Sequence, residues 1–256
     1  MMKHLCFTVD DNIRCLKELT EGRYDSIFDH AYLAVYRRLH RKYHLKVQLN
    51  LFYEDKTFDL SRMTGRYLPE WQDNADWLKL SFHSRLENVS PYQGATYREV
   101  LLDCRRVQEE ICRFASPLTL AKTTTIHYCQ ATCEALEALK DNGVQGLLGL
   151  YGTADAPRLS YQNTPEQCER LRVGEVVTDG GIAYAGIDLI LNLCQLQDIP
   201  TQLDRLIAQD LINLMIHEQY FYADYPLYQP DFEQKLDCAV RYLGERGYSS
   251  VFFEDL

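Results

Sequence analysis

Two adjacent carboxylates, Asp10 and Asp11, follow the short apolar and β-branched run Cys6-Phe7-Thr8-Val9. That run has no helical period and reads as the end of a buried strand. Neighbouring side chains on a strand point to opposite faces, so the two acids share a cleft only if the backbone turns there. Two close anions repel; one must be protonated or matched by a cation. A general base beside a metal ligand satisfies that requirement. So does a plain loop, in which Asp10 caps a turn and Asp11-Asn12 are solvated.

Three histidines share the placement of the acid pair. His83, His127 and His217 each fall at or next to the carboxyl end of an expected strand. In His83-Ser84-Arg85-Leu86-Glu87 the His and the Glu are four apart, so a helical turn after the strand puts both on one face. With Asp11 they could then hold a divalent cation through one nitrogen and two carboxylates, leaving positions open for water and substrate. A surface pair is the plainer reading of the same spacing. His217, an imidazole at a strand end, suits a general acid near neutral pH. The aromatics after it, Tyr220, Phe221, Tyr222 and Tyr225, fit either a stacking wall for a sugar ring or a cover over the barrel mouth.

The elements that must position these groups alternate. Strands are expected near residues 4–9, 46–53, 78–82, 118–126, 144–151, 211–216 and 249–253. Helices are expected near 25–43, 96–114, 131–142, 201–209 and 232–246. Glycine- and proline-bearing residues 152–199 read as a hairpin-bearing excursion, with short strands at about 175–178 and 182–191. Alternating strands and helices call for a mostly parallel sheet covered by helices. Seven or eight such units in a chain of 256 residues imply an α/β fold: a single-domain, distorted (β/α) barrel spanning residues 1–256. Ligand groups in such a barrel sit beyond the carboxyl ends of the strands, where the acid pair and the three histidines lie.

Composition bounds the partners. The chain is 46% hydrophobic and 25% charged, with a formal net charge of −10. Arg37, Arg38, Arg41 and Lys42 form one basic helix face but lack interleaved aromatics, so nucleic acid is not an expected partner. No apolar run reaches the length of a membrane span. The nine cysteines form no Cys-x-x-Cys pair and fit buried, reduced thiols. The run 4–9 is too short for a signal peptide and leads directly into acids. A cytoplasmic protein that binds neither nucleic acid nor membrane is expected.

The order of these motifs resembles the polysaccharide deacetylase family, carbohydrate esterase family four. Its Thr-Phe-Asp-Asp-Gly motif is similar to Thr8-Val9-Asp10-Asp11-Asn12, which implies Asp10 as general base and Asp11 as metal ligand. Its His-Ser/Thr motif, closed by a second His, is similar to His83-Ser84-Arg85-Leu86-Glu87, with Glu87 at the closing position. Ile126-His127-Tyr128-Cys129 stands in the place of its third motif, which implies the Tyr128 backbone N–H as oxyanion donor. Met215-Ile216-His217-Glu218 is similar to its last motif, which implies His217 as general acid; Arg246-Gly247-Tyr248 then resembles the Gly-Tyr strand that follows. The third motif lacks its Arg and both prolines. The Arg's task of orienting the catalytic Asp is empty here or falls to Lys122 or His127, and the family's Asp- and Trp-containing fourth motif has no counterpart. The resemblance implies one divalent ion, Zn, Mn or Mg, with the Glu87 carboxylate shifting the site toward harder cations. It implies a metal-dependent hydrolase of non-peptide amide bonds that deacetylates an N-acylated sugar. The altered motifs leave two alternatives: a non-catalytic saccharide-binding member of the same fold, or an amidase of a small linear or cyclic amide.

Overall fold

The computed structural model describes residues 2–87, 92–152, 156 and 158–256. Pro91 and Pro157, both expected in loops, lie outside the described residues. In chain order the elements are β1 (Lys3–Asn12), α1 (Arg14–Glu21), α2 (Ala31–Tyr43), β2 (Val47–Glu54), α3 (Leu68–Asp73), β3 (Leu78–Leu86), α4 (Tyr97–Phe114), β4 (Thr123–Thr124) and α5 (Cys133–Asp141). They continue with β5 (Gly146–Gly149), α6 (Pro165–Arg172), β6 (Val177–Asp179), β7 (Ile182–Gly186), β8 (Leu189–Ile190), α7 (Ile199–Asp204), β9 (Leu211–His217), α8 (Phe232–Gly244) and β10 (Tyr248–Ser250).

Two hydrogen-bonded sheets form arcs of one distorted barrel. The larger runs β3-β2-β1-β9-β8, with β10 paired to the start of β1; the smaller runs β4-β5-β7-β6. The arcs approach at both ends. Leu80 of β3 bridges Leu120 in parallel, and Ala121 donates its N–H to the Leu80 carbonyl at 2.9 Å. On the other side β7 leads directly into β8, and the Asn213 side chain on β9 donates to the Gly186 carbonyl at 2.8 Å. Every ladder is parallel except β6–β7. That hairpin turns through Gly180 and Gly181, both at positive φ (57° and 86°), the conformation a two-residue turn between twisted strands demands.

The central strands are buried on both faces, which is why β1 and β9 read as continuous apolar runs rather than alternating ones. The outer helices bury one stripe each. In α4 the stripe is Val100, Cys104, Val107, Ile111 and Phe114, and the helix opens on a capping box between Thr96 and Glu99. In α8 it includes Phe232, Leu236, Ala239, Val240 and Leu243. Among the described residues no helix is long and apolar enough to cross a membrane. All nine cysteines are unpaired.

Several boundaries differ from expectation. The strand expected at 118–126 is reduced to Thr123–Thr124, because Pro117 opens a 3₁₀ turn over Pro117–Thr119. The helix expected from residue 25 begins at Ala31; Ser26 and Asp29 instead close a capping box around a separate 3₁₀ turn. β3 does not stop at His83 but stays extended to Leu86. The helical turn expected to bring Glu87 beside His83 is therefore absent, and four extended residues span about 13 Å.

Candidate metal centre and acid–base site

Asp11 and His83, from the first two motifs, both sit at irregularities in the sheet. Between Val9 and Asn12 the β1–β2 register slips, so that Asp10 and Asp11 oppose Asn50 alone. Asp11 takes the left-handed conformation, φ 64°. In β3 the pairing passes from Leu51↔Phe82 to Phe52↔Ser84, leaving His83 as the extra residue. A bulge re-aims the side chains it contains. Here it turns two successive carboxylates and one imidazole into the same mouth.

Asn12 and Glu218 hold the first bulge. The Asn12 amide donates to the Val9 carbonyl at 2.6 Å and the Asn50 carbonyl at 3.1 Å, and accepts from the Tyr32 hydroxyl at 2.6 Å. This residue, placed in a solvated loop by the plainer sequence reading, is fully buried. Glu218, also buried, accepts the backbone N–H groups of Ile13, Arg14 and Cys15 at 2.7, 3.0 and 2.7 Å. It caps the N-terminus of α1 from the end of the neighbouring strand β9 and so fixes the chain immediately after Asp11. Burial raises its pKa, with the hydrogen bonds from Ile13 and Cys15 opposing the shift.

Asp11, His83 and His127 are the one group of potential metal ligands that converges among the described residues. His83 Nε2 lies 3.1 Å from Asp11 Oδ1 and 3.1 Å from His127 Nδ1, and His127 Nδ1 lies 3.4 Å from Asp11 Oδ1. His83 Nδ1 bonds the Thr125 carbonyl oxygen, which assigns the proton to Nδ1 and leaves the Nε2 lone pair facing Asp11 and His127. His127 Nε2 is buried without a hydrogen-bond partner. Three lone-pair atoms turned on one another do not satisfy each other as neutral groups. Bonds of 2.0–2.1 Å to a tetrahedral ion would place its ligands about 3.4 Å apart, so the donor set fits a small divalent cation. Burial would raise the Asp11 pKa, but the His127 and His83 rings, which bond its carboxylate when protonated on the facing nitrogens, outweigh it and hold the carboxyl well below its ordinary range. The other Asp11 oxygen accepts from the Gln219 amide at 2.8 Å.

Asp10 lies beside this cluster, 2% exposed. Burial raises its pKa, against the lowering effect of His83 and His217. Asn50 donates to its Oδ1 at 2.6 Å. Asn50 accepts in turn from Gln48 at 2.7 Å, and Gln48 accepts from the Thr123 hydroxyl at 2.8 Å. This buried chain, rather than Lys122 or His127, orients the Asp10 carboxyl. His217, the last residue of β9, pairs with Asp10 across the β1–β9 ladder. Its Nδ1 is 2.9 Å from Asn192 Oδ1, which leaves Nε2 to exchange a proton.

A cavity of about 250 Å³ is lined by Asp10, Asp11, His83, Glu87, Tyr128 and His217, the six residues singled out from the sequence, and by His127. Glu87 is exposed at its edge and is not a member of the converging group. Tyr128 adopts φ 62° and ψ 3°, its ring 4.2 Å from that of His127. Tyr220 and Tyr225 line the same cavity with ring centroids 5.2 Å apart.

No protein-family model and no curated protein matches the sequence. Solved structures do match its fold. A peptidoglycan N-acetylglucosamine deacetylase, Bc1960, superposes with a TM-score of 0.57 at 9% identity, covering 98% of this chain and 86% of that one. The fold is that of the carbohydrate esterase family four deacetylases. A pseudoenzyme of that family from Bacillus anthracis, BA3943, superposes at 0.55 and 11% identity, covering 100% of this chain and 65% of that one. A 4-alpha-glucanotransferase from Thermococcus litoralis superposes at 0.62 and 14% identity over all of this chain. The chain spans 40% of that enzyme's length. At these identities the likeness is one of fold.

Proposed function

We propose that this chain is a metal-dependent hydrolase of non-peptide amide bonds that removes the acyl group from an N-acylated sugar. The observation that carries the reading is the convergence of Asp11 Oδ1, His83 Nε2 and His127 Nδ1 in one cavity with Asp10 and His217. A divalent cation held there, Zn, Mn or Mg, would supply Lewis-acid polarisation of the acyl carbonyl and a nucleophile at neutral pH. Asp10 takes the proton of the attacking water, a role that suits a buried carboxyl with a raised pKa. His217 Nε2 delivers a proton to the leaving amine while Asn192 holds Nδ1. The Tyr128 backbone N–H, on a turn beside the cluster, faces the developing oxyanion. The Tyr128, Tyr220 and Tyr225 rings stack on the sugar. Glu87 at the rim is the alternative third donor.

The same reading takes residues 1–256 as one barrel domain, with the 152–199 excursion as a wall of the cleft. One contiguous hydrophobic core supports this. Nine unpaired thiols support a reducing, cytoplasmic setting. The test is to purify the chain without chelator, measure its metal content, and follow amine release from N-acetylglucosamine oligomers. Metal at about one equivalent with metal-dependent release supports the reading. Metal without release from N-acetyl sugars or small imides points to the non-catalytic saccharide-binding alternative. Release from imides alone points to the amidase.

A further inference from the structure

Apart from its histidines, the cavity around the candidate metal centre carries one basic side chain among the described residues, Arg158. Its Nη2 donates to the Tyr128 carbonyl oxygen at 2.7 Å, which sets the guanidinium one residue from His127. Its neighbours on the excursion are paired: Arg170 with Glu175 at 2.7 Å and Arg172 with Glu169 at 3.8 Å. Arg158 has no carboxylate partner among the described residues. Of the three acids in the cavity, Asp10 is held by Asn50, Asp11 by His83, His127 and Gln219, and Glu87 is exposed at the edge.

A guanidinium presents five N–H donors in a planar fork that matches a carboxylate or phosphate. One bond to a backbone carbonyl leaves most of that fork unused. The charge around the mouth is also uneven. Across Leu150 and Ile190 the cavity adjoins a second one of about 430 Å³ that has Arg172 in its wall. Sharing Asp11, Glu87, Gln219 and Tyr225 with it is a third, lined also by Asp55, Glu218 and Asp224. Its only arginine, Arg14, is engaged by Glu18 and Asp224.

We infer that Arg158 is a specificity-determining residue and that the sugar it selects carries an anionic group, carboxylate or phosphate, near the acyl-bearing ring. The inference rests on the deacylase reading for the identity of the sugar. A net charge of −10 repels an anionic ligand unless a local cation offsets it, and Arg158 supplies that offset at the reacting end. The purely structural role for Arg158 is a brace for Tyr128 and Cys129, both at positive φ (62° and 55°). A brace would affect neutral and acidic sugars alike.

The test is calorimetric binding to the zinc-loaded full chain and to R158Q, using N-acetylglucosamine, N-acetylmuramic acid and N-acetylglucosamine 6-phosphate. The parent is expected to bind one of the two acidic sugars about tenfold tighter than the neutral one, as for one charge-assisted contact. R158Q is expected to bring that ratio close to one. The two acidic arms identify whether the anion is carboxylate or phosphate. Equal or absent binding of all three sugars by the parent overturns the inference. So does an R158Q that keeps the preference, or one that weakens all three in proportion. Amine release is followed separately. An acidic sugar that binds through Arg158 but is never deacylated overturns the deacylase reading and leaves the anion preference standing.

Discussion

Asp10 and His217 are register partners on adjacent parallel strands, β1 and β9. The pairing puts a buried carboxyl and a partly exposed imidazole side by side in the cavity of the candidate metal centre. Their second partners are both amides: Asn50 donates to Asp10 at 2.6 Å, and Asn192 Oδ1 lies 2.9 Å from His217 Nδ1. An amide orients either group without adding a charge. In the proposed mechanism the division of labour between base and acid therefore rests on position and burial.

If His217 is the general acid, H217A is expected to lower kcat by about 10²–10⁴-fold while leaving metal content unchanged. N192A, which frees Nδ1, is expected to cost about tenfold in kcat and to move the alkaline limb of the pH–rate profile, where a general acid loses its proton. Steady-state kinetics with metal analysis on the same samples checks both. An H217A protein that loses its metal would place His217 among the ligands instead.

The third metal donor separates two readings. H127A is expected to weaken zinc binding by more than about a hundredfold, beyond the loss typical of an outer-sphere partner. E87A is expected to change it by less than about threefold, because Glu87 is exposed and stands outside the converging group. Competition with a fluorescent chelator measures both. The reverse order of effects would make Glu87 the ligand and His127 its neighbour.

Much of the site was legible because the motif residues are local in sequence and the strand ends gather them. Asp10-Asp11 after an apolar run, His83 and His217 needed only the barrel to meet. The two acids share a cleft only if the backbone turns between them, and the bulge opposite Asn50 supplies that turn. What stayed hidden depends on partners far along the chain. Asn50 reaches Asp10 across 40 positions and Gln219 reaches Asp11 across 208; no local pattern marks either amide. His127 stood at the right place but as a candidate to orient the catalytic Asp rather than as a metal ligand, because its convergence with His83 depends on partners far along the chain. The missed helix α6 did carry a signal: Thr164 and Gln167 form a capping box around Pro165, a start signature masked by the surrounding glycines.

Glu218 ties β9 to the start of α1 through three backbone N–H groups and the Tyr222 hydroxyl. E218A leaves those buried donors without an acceptor and is expected to cost about 3 kcal/mol, read as a lower urea midpoint at unchanged slope. E218Q should recover only part of the loss, because its amide nitrogen faces N–H groups. Zinc affinity is expected to fall in both, since the chain after Asp11 is no longer fixed. A stable E218A protein with parental metal affinity would make the cap redundant.

Asp188 gives the fold a pH dependence away from the candidate metal centre. It accepts the Asn213 N–H at 2.7 Å, and burial raises its pKa from the ordinary 3.8 to about 7. The folded state then holds a proton that the unfolded chain releases near pH 4. Stability from this group is complete below pH 4, falls as pH rises through about 7, and is flat above. A shift of that size corresponds to about 4 kcal/mol at most. The side chain is partly exposed to a cavity, so about 2 kcal/mol is expected. D188N keeps a carbonyl oxygen for Asn213 and removes the titration. The variant should match the parent in urea at pH 4.5 and exceed it by about 2 kcal/mol at pH 8. A parent-to-variant difference that does not change between those two pH values would mean Asp188 is ionised in the folded protein throughout.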